Sequence, residues 1–354
     1  MKSEKSASDS GKPSGEQPLR IWVLDYGVPG HFVQAAGVVK LLQDIGRAVA
    51  VSEVTFSVTL RGWLRGPMRW LLPKLPTKIS WALTMKFHRD LVLPSGGVDV
   101  VIASGGTSLW LLRSLKEKTG AKSVYVGFPG SFSEDWFEII VSPLSFPGRS
   151  QVVETPRLVT GMTPEVTAQA ARDEGYVVDE EKLVAILIGG RSRSHQYEET
   201  DWLELVRALN ELGESGHRFL ITTSRRTGAS AEEILREGLR KEFLVDAVWW
   251  SQKPRKVVKP FLGRCEQVIV TRDSLTMVSE AIDSGRPVWA AVPKVLNMPT
   301  DSKLTRYFSK LERANVLRCL PCSEISQIEP YETKDDSVQW EKSAHELALL
   351  LNAR

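Results

Sequence analysis

Short apolar runs that stop at a glycine- or serine-rich turn, each followed by a helix-patterned stretch, recur along this chain. That recurrence confines the fold to parallel sheets with crossover helices. Residues 19–25 (LRIWVLD) run into Tyr26-Gly27, and a helix is expected from His31 to about Asp44. Residues 48–58 read as a second strand. Residues 98–103 enter Ser104-Gly105-Gly106-Thr107, with helical spacing from Ser108 to Lys118, and 124–128 and 137–141 are further strands. The alternation pauses over 142–182, which carries one weak helix near 163–174, and restarts at 183–188 before Gly189-Gly190. Strands at 218–223, 245–250, 267–271 and 287–292 alternate with helices at 201–212, 274–283 and 302–314, and an amphipathic helix at 338–352 closes the chain. The fold class expected is α/β: two Rossmann-like parallel-sheet domains facing across a cleft, where ligands bind at the carboxyl ends of the strands. The expected divisions are a disordered leader at 1–18, a first domain at 19–165 with an insert at 57–93, a second domain at 166–325 and a tail helix at 326–354.

Composition narrows the partners. Lys+Arg minus Asp+Glu is 46 − 43 = +3 over 354 residues, too mild for a protein that coats nucleic acid by charge, and no nucleic acid is expected as partner. Three cysteines form no disulfide framework, which fits a reducing compartment. The first 18 residues are Ser, Gly, Pro and charge, without the apolar stretch of a secretory signal, and no apolar run approaches the ~18 residues of a membrane helix. A cytoplasmic protein, peripheral to the inner membrane, is expected.

Three strand ends of the second half carry the stronger chemical signal. Gly189-Gly190-Arg191-Ser192 lets a ligand approach the backbone, and Arg and Ser can hold phosphate. Thr223-Ser224-Arg225-Arg226 is a doubly cationic turn. In the third, Thr271 to Glu280, Asp273 or Ser274 can cap the helix, whose first-turn amides, with Thr276, form an anion site, and Glu280 can accept from ribose hydroxyls. Loops of this kind after three strands point to a diphosphate-and-ribose ligand; alternatively Asp273 is only a cap and the arginines are solvated.

The pattern Asp25-x-Gly27-x-Pro29-Gly30-His31-x-x-Gln34, then Ile188-Gly-Gly, Thr223-Ser-Arg-Arg-Thr227 and Val270 to Ala281, with Gly285-Arg-Pro-Val288 behind it, resembles the mitochondrial-fission factor family of plants. Its bacterial relatives are classed among glycosyltransferases. The resemblance covers roughly residues 20–320. It implies the two-Rossmann fold called GT-B and an envelope saccharide or lipid-linked acceptor. It equally allows a non-catalytic adaptor acting at a membrane, as in the plant members.

In such a fold a nucleoside-diphosphate sugar, expected to be UDP-linked, is co-substrate on the second domain, and no separate cofactor is expected. An acceptor hydroxyl is activated from the first. His31 is the expected general base, its ordinary pKa of about 6.5 suiting the task, with Asp25 on the same turn to orient it or serve instead. Ser104, Gly105, Gly106 and Thr107 are expected to line the acceptor side. No Asp-x-Asp occurs, so no essential metal is expected. A nucleotide-sugar epimerase is set aside because no Gly-x-Gly-x-x-Gly follows the first strand.

Residues 57–93 stand apart. No acidic residue lies between Glu53 and Asp90, while Arg61, Arg65, Arg69, Lys74, Lys78, Lys86 and Arg89 interleave with Trp63, Trp70 and Trp81. This composition suits an anionic membrane surface; stacking on single strands and plain packing into the first domain are the alternatives. Cys319-Leu-Pro-Cys322 has no second pair for zinc and reads as structural. His195 is expected in an exposed loop.

Overall fold

The computed structural model describes residues 17–59, 67, 71, 75–128, 136–146, 148–149, 151–176 and 182–353. Most of the expected leader, and Arg61, Trp63, Arg65, Arg69, Trp70 and Lys74 of the insert, lie outside them.

The first sheet contains β1 (Leu19–Asp25), β2 (Val49–Thr55), β3 (Val100–Ser104), β4 (Lys122–Val126), β5 (Ile139–Ser142) and β6 (Val152–Glu154) in the order β2-β1-β3-β4-β5-β6. Every pairing is parallel; Ile21, for example, lies between Val51 and Val100. Alternation along the strands explains why both faces are covered. Trp22, Leu24, Val101 and Ala103 join one apolar cluster, and Ile21, Val23, Val100 and Ile102 join the other. The expected strand at 48–58 is shorter: residues 57–58 leave the sheet and pair with 88–89 in a two-stranded ribbon.

The second sheet contains β7 (Leu183–Leu187), β8 (Arg218–Thr222), β9 (Leu244–Val248), β10 (Gln267–Thr271), β11 (Val288–Val292) and β12 (Arg318–Pro321), all parallel, in the order β9-β8-β7-β10-β11-β12. Leu183, Ala185 and Leu187 face one cluster, and Val184 and Ile186 the other. In each sheet the strand order reverses once beside the first strand, between β1 and β3 and between β7 and β10. The crevice at such a reversal is where ligands enter doubly wound sheets.

Helices α1 (Pro29–Asp44), α2 (Thr77–Phe87), α3 (Leu109–Thr119), α4 (Pro164–Asp173), α5 (Glu199–Glu214), α6 (Ala229–Gly238), α7 (Val258–Arg264), α8 (Leu275–Asp283), α9 (Lys303–Arg313) and α10 (Ser337–Asn352) complete the fold. α4 starts where Thr163 accepts a hydrogen bond from the Val166 amide, and it packs against α7 of the second domain. α10 returns to the first domain, where Ala344, Leu347 and Leu351 join the cluster of Ile21, Val38 and Leu42. Two chain segments therefore cross between the domains. They meet at Arg157, which pairs with Asp283 at the end of α8 and with Asp336 before α10.

Candidate nucleotide-sugar cleft

The reversal of the second sheet makes β8, β7 and β10 neighbours, so three loops separated in sequence form one polar floor. The Gly189 amide donates to Thr271 Oγ1 (2.6 Å), and the Gly190 amide donates to Asp273 Oδ1 (3.1 Å). The Gly189 carbonyl accepts from Ser224 Oγ (2.5 Å) and Thr227 Oγ1 (2.7 Å). Gly190 has φ +139°, and a Cβ there would overlap the Arg226 carbonyl. Only glycine fits so close a crossing of two backbones.

The sequence-predicted residues divide by role within this floor. Asp273 is buried and spans the Gly190 amide and the Arg226 guanidinium (2.8 Å); burial pushes its carboxyl upward although Arg226 opposes the shift. It therefore holds the floor together and does not cap α8. Ser274 occupies the N-cap position without a side-chain bond, so neither expected cap forms, and among the described residues no side chain bonds the first-turn amides of α8. Arg225 is exposed, and Arg191 reaches the Tyr197 carbonyl (3.3 Å). Ser192 shapes its own loop through His195 and Ser194. Glu280, further along α8, is pushed up to about 7, mainly by burial and then by Asp283, with Lys259 opposing.

Across the cleft, the start of α1 meets the start of α8. Gln34 Nε2 donates to Thr276 Oγ1 (3.0 Å), and a Cβ on Gly30 would sit 2.9 Å from the same oxygen. Thr276 thus contributes one of the contacts between the domains. Ser104 Oγ donates to Gln34 Oε1 (3.1 Å), tying the end of β3 to the same network, and Ser108 Oγ donates to the Ser104 and Gly105 carbonyls. Gly106 is exposed and Thr107 half-buried beside them.

His31 lies on the first turn of α1, where burial lowers its pKa. Its Nδ1 is hydrogen-bonded to the Tyr26 hydroxyl. Asp25 does not orient it, because Asp25 Oδ1 is used to accept the Gly27 amide (2.8 Å) and closes the turn. Tyr26 was not singled out in sequence, although it stands inside the Asp25-x-Gly27 motif.

Other expectations change with burial. His195 is 1% exposed, its Nδ1 bonded to Ser194 Oγ (2.9 Å) and its pKa lowered to about 4 by burial and then by Arg272 and Arg226. It is a neutral interior residue, not an exposed one. Cys319 and Cys322 are free thiols, and burial pushes Cys319 up to about 12. Among the described residues no group of three or more His, Cys, Asp or Glu could hold a metal ion.

The insert divides as well. On α2, Ser80, Thr84 and His88 beyond its end are buried, and Trp81, Leu83 and Phe87 pack on the first-domain core. Trp81 is therefore a packing residue. The outer face carries Lys78, Ile79 (50% exposed), Ala82, Met85 and Lys86, followed by Arg89. Among the described residues no helix is long and apolar enough to cross a membrane.

Known proteins share the architecture. UDP-GlcNAc 2-epimerase from Neisseria meningitidis bound to UDP-GlcNAc is 10% identical, covers 94% of this chain and 99% of its own, and has a TM-score of 0.51. MurG of Acinetobacter baumannii is 16% identical over 95% of this chain and 91% of its own (TM-score 0.47). The E. coli ADP-heptose LPS heptosyltransferase II is 11% identical over 94% and 98% (TM-score 0.48). At 10% identity the likeness to the epimerase is one of fold alone, two Rossmann-like domains in a GT-B-like arrangement. Because an epimerase shares this fold, the fold does not exclude an epimerase. No curated protein matches the sequence. The profile of the family described as mitochondrial fission ELM1 matches residues 29–344, most of the chain, and the protein belongs to that family.

Proposed function

We propose that this protein is a glycosyltransferase. It would move a sugar from a nucleoside-diphosphate donor, UDP-linked, to a saccharide or lipid-linked acceptor of the cell envelope, at the cytoplasmic face of the inner membrane and without an obligatory metal. The observation that carries the reading is the floor formed by Gly189, Gly190, Ser224, Arg226 and Asp273 beside the uncapped N-terminus of α8. First-turn amides there suit a diphosphate, Arg225 and Arg191 supply exposed positive charge, and Glu280 is the candidate for ribose hydroxyls. A leaving diphosphate needs charge stabilisation of this kind. His31 and Asp25 share the facing turn, where the acceptor's proton must be handled, with Ser104 to Thr107 alongside. The outer face of α2 would bring the cleft to an anionic surface, each cation adding about 1 kcal/mol near the lipid.

The family's description favours one second reading, an adaptor that keeps the fold without catalysis. A thermal-shift panel of nucleotides and nucleotide sugars separates the two. A ligand at about 100 times its Kd adds about 2.7 kcal/mol to stability. A shift with one base and one sugar, lost in Arg225→Ala and Glu280→Ala, supports the transferase. A flat panel, repeated with anionic vesicles present, supports the adaptor.

A further inference from the structure

His31 has two ring nitrogens, and its surroundings treat them differently. Nδ1 meets the Tyr26 hydroxyl, with the rings tilted by 39° at 5.5 Å between centroids. No hydrogen bond to Nε2 occurs among the described residues. Gly105 holds the pair from behind: it has φ +82°, and a Cβ there would overlap both the Tyr26 oxygen and His31 Nδ1. Phe56 packs on Tyr26 at 5.9 Å between ring centroids. The contact is therefore built by three segments: the turn after β1, the end of β2 and the end of β3.

A phenol O–H, with a pKa of about 10, is a much stronger proton donor than the N–H of a neutral imidazole. When the two face each other, the favourable arrangement has the phenol donating and the imidazole nitrogen accepting. In a neutral histidine the proton then resides on the other nitrogen. We propose that Tyr26 is a positioning residue that fixes His31 as the Nε2–H tautomer, so that His31 presents a hydrogen-bond donor to the cleft rather than a basic lone pair. Burial of His31 favours the neutral ring that this requires.

The consequence for chemistry rests on the glycosyltransferase reading; the tautomer does not. In the transfer, the acceptor oxygen bonds to the anomeric carbon and the bond from that carbon to the diphosphate oxygen breaks, its electron pair leaving with the diphosphate. The acceptor's proton goes to a carboxylate, and Asp25 is the one the same turn supplies. His31 Nε2–H donates to the departing diphosphate, as an oxyanion-hole donor does.

Long-range proton–nitrogen NMR on the full chain, uniformly labelled with nitrogen-15 and held above pH 7, reads the tautomer directly. His31 is assigned by its disappearance in His31→Gln. The expected result is an Nε2–H pattern in the parent that relaxes to a mixture of tautomers in Tyr26→Phe. An Nδ1–H pattern, or a pattern unchanged in Tyr26→Phe, overturns the proposal. Should Tyr26→Phe fail to fold, the parent spectrum still decides the tautomer. Once a donor and an acceptor are in hand, His31→Ala should lower kcat by about 10²–10³, whereas His31→Gln, which keeps an N–H donor, should stay within about tenfold of the parent. Equal loss in both variants indicates a base and overturns the donor role. A flat nucleotide-sugar panel alongside an Nε2–H spectrum would overturn only the transferase reading.

Discussion

Replacing Arg157 with methionine tests what couples the two domains. Arg157 sits in the first interdomain crossing, with its side chain 9% exposed, and pairs with Asp283, 6% exposed, and with Asp336, 18% exposed. Thr160 also donates to Asp283, and the guanidinium lies 5.4 Å from the Trp340 ring centroid. At an effective dielectric of about 20, two unit charges about 4 Å apart attract by about 4 kcal/mol, and Arg157 has two such partners. Desolvation of the ions offsets most of that gain. Removing the cation alone keeps the desolvation of Asp283 and loses its compensation, which costs about 3–5 kcal/mol. Urea denaturation of the parent, Arg157→Met and the Arg157→Met/Asp283→Asn pair measures this. The double variant should recover much of the loss, because no stranded carboxylate remains. Acidity supplies a second check. Burial already raises the Asp283 carboxyl above its ordinary value, and without Arg157 it rises further. The folded single variant then binds that proton more tightly than the unfolded chain, so its stability increases as the pH falls, narrowing the gap to the parent. A loss under about 1 kcal/mol, the worth of an exposed pair, or no recovery in the double variant, would refute the reasoning.

Other outcomes follow from the cleft and the outer helix. Gly190→Ala puts a Cβ onto the Arg226 carbonyl and should abolish the nucleotide-sugar thermal shift. Glu280, raised to about 7, holds a proton in the folded state between pH 4.5 and 7 that the unfolded chain releases. Its contribution therefore falls as the pH rises from 4.5 to 7 and is fully unfavourable above 7, and Glu280→Gln should stabilise the unliganded protein at pH 8 by up to about 3 kcal/mol. The same substitution should remove any rise in donor affinity above pH 7, measured by calorimetry. Lys78→Glu/Lys86→Glu should reduce sedimentation with anionic vesicles, most strongly at low salt, and Ile79→Asp/Met85→Asp should reduce it at any salt.

How much of this was legible in the sequence depends on how far apart the interacting residues lie. Local period-2 and helical spacing reveal the strands and helices, because burial of alternate residues such as Ile21 and Trp22 on opposite sheet faces leaves its mark on neighbouring positions. The three loops of the candidate site were legible for a related reason: a glycine or polar cluster directly after an apolar strand marks the carboxyl edge of a parallel sheet, whichever strand it follows. What each loop residue does there was not legible. Asp273 looks like a helix cap in sequence, but its carboxylate finds the Gly190 amide and Arg226. Asp25 looks like a partner for His31, but its Oδ1 accepts the Gly27 amide of its own turn. The sequence gives no sign of the Arg157 cluster, whose ion pairs span 126 and 179 positions. Sequence pattern thus locates the cleft, while the assignment of each polar side chain is a competition among nearby donors and acceptors. His31 shows what that competition controls. The residue is evident from its place after Pro29-Gly30. Its neighbour Tyr26, held by a glycine 79 positions after it in the chain, determines whether it meets a ligand as acceptor or donor.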